Sequence, residues 1–495
     1  MADVVRVADG AAVELTEAGR GRIRAARDVV DRLVAGDALI YGLNTGLGHL
    51  RDTRVPLDAL RAFQEAIVVS HDGGVGPPLP TRIVRAAMLV RVAGIAAGGA
   101  GASPVIAQTL VAMLNRGVHP VVPTVGSVGA ADLMHMAAVG VVATGLGGRA
   151  EFGGKLMAGP EALRRAAIEP ARMEPKDGLA LISANGVAIG HAALVAARAG
   201  ESATAADVAM AVSLEAVRGN PSIVDPVVVA AKPVAGQAAV ADHIRALLAG
   251  SEPGEWTGAG SVQDPLSFRV APQVHGAFRE FVSFFRHAVE VELAASDDNP
   301  YVSIEDRRLI SNGNFHPMAL ALTADATRPA TAHVGLLSDR RMSHLWSSIW
   351  QDSALETADG LRRSAVDGGL LLRYAAAALY TELRALAGPV TLDVPPLDLG
   401  VEDHATNAPF AVRRTDEALD RLDDLLTIEL LLAYRVIRRG DRPGRLGSGV
   451  AAALDELARV LADHEPRASG ADVHAAVRDA LHGRIVAAAD AALDR

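Results

Sequence analysis

The sequence has no cysteine, few aromatic residues and no excess of positive charge, and each shortage excludes a class of protein. Without cysteine among its 495 residues, the chain forms no disulfide, no thiolate metal site and no cysteine nucleophile. Aromatic residues make up only 3% of the chain, which favours closely packed helices rich in Ala, Val and Leu over a β-sandwich. A net charge of −10 argues against nucleic acid or an anionic membrane as a partner.

The chain is longer than one hydrophobic core usually fills, so we expect more than one subregion. Helical patterning dominates, and we place a loop-rich N-terminal region at 1–175 and a long-helix body at 176–495. Helices are predicted at 16–35, 56–70, 80–97, 104–114, from 132 onward, and at 178–217, 271–295, 315–347, 353–387 and 408–439. Pro- and Gly-rich segments at 251–262, 296–315 and 389–404 interrupt them, and such loops beside rigid helices are where sites usually lie.

The N-terminus and the longest apolar stretch bear on location. No basic segment followed by an apolar block opens the chain, so no secretory signal is predicted. Residues 178–200 are long enough to span a membrane, but Asn185, His191 and Arg198 interrupt them. We therefore predict a buried helix there and a soluble, cytoplasmic protein.

Seven short polar or glycine-rich blocks are candidates for the functional site. The central one, at residues 124–133, reads Thr-Val-Gly-Ser-Val-Gly-Ala-Ala-Asp-Leu. The others are Tyr-Gly-Leu-Asn-Thr-Gly-Leu-Gly at 41–48, Ser-His-Asp-Gly-Gly at 70–74, Ser-Ala-Asn-Gly at 183–186, Gln-Asp-Pro-Leu-Ser-Phe-Arg at 263–269, Ser-Asp-Asp-Asn-Pro-Tyr at 296–301 with Ser-Asn-Gly-Asn-Phe-His at 311–316, and Val-Glu-Asp-His at 401–404. Taken singly, most of these residues would be read as turns, caps or surface charges.

In this order and at these separations, the blocks resemble those of the aromatic amino acid ammonia-lyase family, which includes the histidine, phenylalanine and tyrosine enzymes and the related aminomutases. Ser70-His71 and Glu402 are nearest to histidine ammonia-lyase. The resemblance implies an all-α fold with long helices in a central bundle. It also implies a homotetramer in which three subunits build each active site.

The resemblance also assigns roles to single residues. Tyr41 corresponds to the general base, and a phenol needs nearby positive charge to act as a base at neutral pH. Arg269 corresponds to the group that binds the substrate carboxylate, for which a planar guanidinium is suited. Glu402 is a second catalytic candidate, and the substrate-binding candidates are Ser70, His71, Asp72, Asn185, Gln263, Arg269, Tyr301, Asn314 and Phe315. The adjacent His71 and Asp72 alone do not define a metal site, and we predict no metal.

The central block departs from the family. There, an Ala-Ser-Gly triplet before Asp-Leu cyclises into a methylidene-imidazolone, the electrophile that attacks the substrate. Here Gly129 is followed by Ala130, Ala131 and Asp132, so the segment is one residue shorter than in the family. Neither the serine nor the glycine of the triplet is present. Ser183 and Leu266 also replace residues that hold the electrophile. We expect neither this group nor an external cofactor.

These observations predict a lyase that eliminates a β-positioned group from a polar amino acid, or a related carboxylate, without the electrophile. Ser70-His71, Glu402 and Asp72 favour a substrate with an amine, imidazole or guanidine side chain. Because ammonium leaves poorly, a better leaving group or a more acidic β-proton is required. Two alternatives stay open, namely a conventional ammonia-lyase or aminomutase, and a catalytically silent homologue that binds a small molecule.

Overall fold

The computed structural model describes residues 1–252, 263–350, 371–392, 394–439, 444–463 and 468–493. The fold is 66% helical and 6% strand, which confirms the predicted all-α class. Of the predicted segments, 253–262 and the first part of the helix at 353–387 lie outside the described residues.

The chain forms two compact units. Unit 1 comprises Met1–Ala197, Phe285–Asp325 and Pro389–Arg413, and unit 2 comprises Arg198–Phe284, Ala326–Gly388 and Arg414–Arg495. Residues 1–175 all lie in unit 1, whereas residues 176–495 are divided between both units. The candidate site lies mostly on loops of unit 1.

Unit 1 combines short helices with small antiparallel sheets. Its helices are Ala2–Ala8, Glu17–Val34, Leu60–His71, Thr81–Ala97, Pro104–Arg116, Leu133–Ala143, Gly159–Arg165 and Asp177–Ile182, together with parts of the long helices Gly186–Ala216, Ala271–Ala294, Met318–Trp350 and Ala408–Arg439. Strand Val75–Pro78 pairs with Pro123–Val125, Arg149–Phe152 lies between His119–Pro120 and Lys155–Ala158, and Tyr301–Ser303 pairs with Arg308–Ile310. Short 3₁₀ turns at Gly48–Leu50, Leu57–Ala59 and Asp398–Gly400 complete it.

Several helix ends follow from local sequence. Thr16 Oγ1 accepts a hydrogen bond from the Gly19 amide and caps the helix Glu17–Val34. Gly98 ends the helix Thr81–Ala97 in the left-handed region at φ 99°, which glycine tolerates. The predicted boundaries near these residues are confirmed.

The predicted helix at 178–217 is wrong in one respect, because the structure breaks it into Asp177–Ile182 and Gly186–Ala216. At the break, tertiary hydrogen bonds replace helical ones. The Asn185 amide donates to Asp297 Oδ2 at 2.6 Å, and the Asp132 amide donates to the Ala184 carbonyl at 2.9 Å. Among the described residues, 177–216 is the stretch apolar enough to cross a membrane, and its most apolar window is wholly buried, as in a core helix.

Unit 2 is helical throughout its described part. It holds the remaining portions of the four long helices and the helices Pro226–Ala231, Ala235–Leu247, Leu266–Arg269, Leu372–Leu386, Ser448–Ala462, Gly470–Ala480 and Ala487–Ala491, with a 3₁₀ turn at Pro221–Val224 and a π-helical turn at Leu481–Val486. A buried Arg341–Glu429 pair, 2.6 Å between Nε and Oε1, ties two of its long helices together. Gly470–Ala480 begins with a capping box of Ser469 and Asp472.

Candidate active site

The central loop is held by its own serine and by two left-handed residues. Gly129 and Ala131 have φ of 78° and 60°. Ser127 Oγ accepts from the Gly129 amide at 3.0 Å and donates to Asp132 Oδ1 at 2.8 Å. A side chain at Gly129 would overlap the Thr406 hydroxyl, so this turn requires glycine on steric grounds as well.

The loop lies against the N-terminus of the long helix Gly186–Ala216. Asp132 Oδ2 accepts from the Ala188 amide in the first turn at 2.7 Å, where the free amides of a helix favour an anion. Burial nevertheless raises the pKa of Asp132 to about 6, and its hydrogen bonds only partly oppose this. The Phe315 carbonyl accepts from the Ala131 amide at 3.1 Å and from Asn185 Nδ2 at 2.9 Å. Phe315 thus holds the backbone of the central loop, and Asn185 in turn holds the Phe315 carbonyl.

A cavity of about 760 Å³ opens beside this loop in unit 1. It brings together Tyr41, Ala130, Phe315 and Glu402, which lie on four of the predicted blocks. The rest of its lining is Leu39, Thr45, Gly48, Arg51, Asp52, Asn299, Ser311, Asn312, Gly313, His316, Val401, Asp403 and His404. A base candidate, a second carboxylate and the remnant of the cofactor loop therefore share one cavity.

The surroundings of Tyr41 within one chain favour the neutral phenol. Burial raises the pKa of Tyr41 above its ordinary value. The Gly48 amide, which donates to Tyr41 Oη at 3.5 Å, lowers it, as does Arg51, whereas Glu402 and Asp398 raise it further. Positive charge in addition to that of Arg51 is therefore needed for Tyr41 to ionise readily.

The second carboxylate, Glu402, is also held towards its neutral form. Burial raises its pKa and Asp398 adds to the effect, while His71 lowers it. His71 Nδ1 lies 2.7 Å from the Ile67 carbonyl, so this nitrogen carries a proton and donates it to the carbonyl. Ser70 Oγ donates to the same carbonyl at 3.0 Å. Asp72 is exposed at the helix end, with a pKa raised by partial burial.

Two histidines outside the predicted set of site residues also line the cavity. His316 Nε2 and His404 Nδ1 are 2.7 Å apart, and the His316 pKa is lowered by burial and by His404. Both close predicted blocks, but they are 88 positions apart in the chain, so only the fold shows that they meet. No cluster of three or more metal-binding side chains occurs among the described residues.

The remaining predicted residues lie elsewhere. Tyr301 is on a strand and packs beside Gly99, and Asn314 is exposed, its amide bonded to Asn312 Oδ1 at 2.8 Å. Gln263 and Arg269 belong to unit 2. Arg269 ends the short helix Leu266–Arg269, and its Nε is buried without a hydrogen-bond partner among the described residues. The guanidinium of Arg269 therefore has an unused donor.

Comparisons with known proteins agree with this fold and these blocks. Residues 1–459 match the family described as aromatic amino acid lyase. A histidine ammonia-lyase of Gloeobacter violaceus is 34% identical over 502 aligned positions, covering 100% of this chain and 96% of that protein. Another, from Stigmatella aurantiaca, is 37% identical and covers 90% of this chain and 86% of that protein.

Solved structures show the same architecture. Histidine ammonia-lyase from Trypanosoma cruzi superposes with a TM-score of 0.88 at 27% identity, over 99% of this chain and 93% of that one. Ergothionase from Treponema denticola, an ergothioneine-degrading enzyme solved with desmethyl-ergothioneine sulfonic acid, gives 0.89 at 25% identity, over 98% and 97%.

Fold and motifs together define an enzyme of the carbon–nitrogen lyase type. The chain belongs to the aromatic amino acid lyase family, and the relatives described above include histidine ammonia-lyases.

Proposed function

We propose that this enzyme eliminates the α-nitrogen group of an imidazole-bearing amino acid derivative, with loss of a Cβ proton and without a methylidene-imidazolone. The observation that carries the proposal is the combination of Ala130 and Ala131 in the cofactor loop with Tyr41 and Glu402 in the adjoining cavity. Ring formation requires a serine that dehydrates and a glycine amide nitrogen that closes the ring. Neither residue is present, and the Ala131 amide already donates to the Phe315 carbonyl, so the residues here do not fit that group.

The charge of the cavity supports a cationic substrate. Asp52, Glu402 and Asp403 line it against one arginine, Arg51. Within one chain Glu402 and Asp398 work against ionisation of Tyr41, so the substrate itself must supply positive charge beside the phenol. A permanently charged nitrogen would do so at every pH.

A quaternary ammonium also solves the leaving-group problem. A primary ammonium can lose its own N–H proton to the base, and the neutral amine that results does not leave. A trimethylammonium group has no N–H proton. When Tyr41 removes the Cβ proton, the Cα–Cβ double bond forms, the Cα–N bond breaks with its electron pair on nitrogen, and neutral trimethylamine departs. Ergothioneine, which the Treponema denticola enzyme degrades, is such a betaine of a sulfur-substituted histidine.

The imidazole preference rests on the cavity's second carboxylate. His71 lowers the pKa of Glu402, and the Ile67 carbonyl orients the His71 ring through Nδ1. We place the substrate ring against these groups and its carboxylate at Arg269. We also propose a homotetramer in which neighbouring subunits complete each site, as the family resemblance implies, and a cytoplasmic location.

Two measurements test the proposal. The intact mass of the purified protein should equal that of the encoded chain, whereas loss of two waters mapped to residues 126–134 would contradict it. The enzyme should then release trimethylamine from trimethylhistidine or ergothioneine faster than ammonia from histidine. Rapid urocanate formation from histidine would favour a conventional ammonia-lyase, and tight binding of the betaines without turnover would favour a silent homologue.

A further inference from the structure

The Tyr41 loop and the Glu402 loop are joined by a contact that uses residues outside the cavity lining. Asp398 Oδ2 accepts from the His49 amide at 2.8 Å, and Asp398 Oδ1 lies 2.6 Å from His49 Nδ1. The two residues are 349 positions apart, on the 3₁₀ turns Gly48–Leu50 and Asp398–Gly400. One carboxylate thus grips both the backbone and the side chain of His49.

On the Tyr41 side, the His49–Asp398 contact fixes the position of Gly48, which faces the phenol. Gly48 donates its amide towards Tyr41 Oη at 3.5 Å and has φ 53°. A side chain at Gly48 would overlap Asp398 Oδ2, so the carboxylate lies directly against this glycine. Moving Asp398 away frees residues 48 and 49, and with them the amide that stabilises a phenolate.

On the Glu402 side, the same contact holds a tight turn that begins at Leu397 and ends at Glu402. Leu397 and Glu402 form an antiparallel bridge, with the Leu397 amide donating to the Glu402 carbonyl at 2.8 Å. Between them, Asp398, Leu399 and Gly400 are all left-handed, at φ 46°, 55° and 84°. Leucine rarely adopts this conformation, and Leu399 is 87% exposed, so its own packing does not hold the turn.

We propose that the His49–Asp398 pair is a positioning pair, which fixes the Gly48 amide under the Tyr41 oxygen and sets Glu402 at its place in the cavity. It deepens the proposed function by naming what holds the base. The negative charge of Asp398 has a separate, opposite influence, since it raises the pKa values of both Tyr41 and Glu402.

The claim that Asp398 holds the backbone of residues 48 and 49 can be tested without any substrate. In Asp398→Ala the amide of His49 loses its acceptor, so deuterium uptake by a peptide covering residues 41–55 should rise. Asp398→Asn keeps an acceptor oxygen and should retain most of the protection. Arg61→Ala, which breaks the exposed Arg61–Glu174 pair of 2.6 Å in the same unit, is the matched control and should not change this peptide. Equal uptake in wild type and Asp398→Ala would overturn the proposal.

The effect of the Asp398 charge can be measured by titrating Tyr41. Phenolate absorbance, with Tyr41→Phe subtracted as a blank, should titrate at lower pH in Asp398→Asn than in wild type, because a negative charge has been removed. An Asp398 carboxylate too far from Tyr41 to hold Gly48 beside the phenol would leave this titration unchanged. An unshifted curve in a folded Asp398→Asn protein would contradict the arrangement.

The kinetic part rests on the proposed function. With a betaine substrate, His49→Ala should lower kcat roughly 10-fold or more, the usual effect of a displaced catalytic group, with a smaller change in KM. His49→Asn should recover part of this loss, because its amide nitrogen can reach the place of Nδ1. Unchanged kcat in His49→Ala would overturn the positioning role, whereas a lack of turnover in wild type would instead refute the proposed function and leave the exchange and titration results to decide.

Discussion

The helix that follows the cofactor loop contains a histidine whose burial predicts a measurable response to acid. His135 is 1% exposed, and neither ring nitrogen makes a hydrogen bond of normal geometry within the described structure. Burial lowers the pKa of His135 to about 4; the charge of Arg413 adds to this, and the Thr124 backbone opposes it. His135→Leu removes the titrating group and keeps an apolar side chain of similar size.

The direction in which acid changes the folding stability follows from the pKa of His135 in the folded and unfolded chain. The unfolded chain takes up a proton at His135 near the ordinary value of 6.5, whereas the folded chain resists until about 4, so folding weakens as the pH falls through this window. At 1.36 kcal/mol per pKa unit, the loss between about pH 7 and pH 5 is roughly 2 kcal/mol.

Asp132, three residues earlier, has the opposite effect. Its folded pKa of about 6 lies above its ordinary value of 3.8, so its neutral form is favoured in the folded protein and folding strengthens as the pH falls through this window. The gain between about pH 7 and pH 5 is roughly 1 kcal/mol. The effect of Asp132 therefore offsets about half of the effect of His135 in the wild type.

Urea unfolding at the two pH values separates them. Relative to wild type, His135→Leu should be roughly 2 kcal/mol more stable at about pH 5 than at pH 7, and Asp132→Asn should deviate by roughly 1 kcal/mol in the opposite direction. All other titrating groups are shared, so they drop out of the comparison. If His135→Leu and wild type respond identically to acid, His135 is not buried as a neutral ring and the reasoning is wrong.

Two further predictions concern the reaction. Tyr41→Phe removes only the ionisable oxygen, so turnover should fall while ligand affinity and melting temperature stay nearly unchanged; full activity in a stable variant would remove Tyr41 from the mechanism. Arg269→Lys keeps the charge but loses the planar fork, so carboxylate binding should weaken by about 1.5–3 kcal/mol in titration calorimetry, while a ligand that lacks the carboxylate binds as before. Equal weakening for both ligands would instead indicate that Arg269 is a structural tie.

The sequence predicts those features that depend on local rules. Helix ends at Thr16 and Gly98 lie where a capping hydroxyl and a left-handed glycine put them. Tyr41 and Glu402 were selected from separate blocks, and the structure brings them to one cavity. That selection came from the order of the blocks, since neither residue is distinctive alone.

Features that depend on distant partners were not predictable. The helix break at residues 183–185 contains no proline, and it exists because Asp297 and Asp132, far along the chain, engage its backbone. The His316–His404 and His49–Asp398 contacts join residues 88 and 349 positions apart. Nothing in a single sequence states which of many polar residues will meet.

In the proposed function, the charges around Tyr41 connect the choice of leaving group with the absence of the electrophile. Asp398 and Glu402 raise the pKa of the phenol, which is a handicap for a base when the cavity is empty. The same carboxylates attract a cation, and a bound cation reverses the handicap because it stabilises the phenolate beside it. In the proposed function, Tyr41 therefore ionises when the right substrate is bound. A permanent positive charge on the leaving group would both activate Tyr41 and let that group depart without an electrophile. On this proposal, the absence of the Ala-Ser-Gly triplet and the acidic lining of the cavity are consistent with one another.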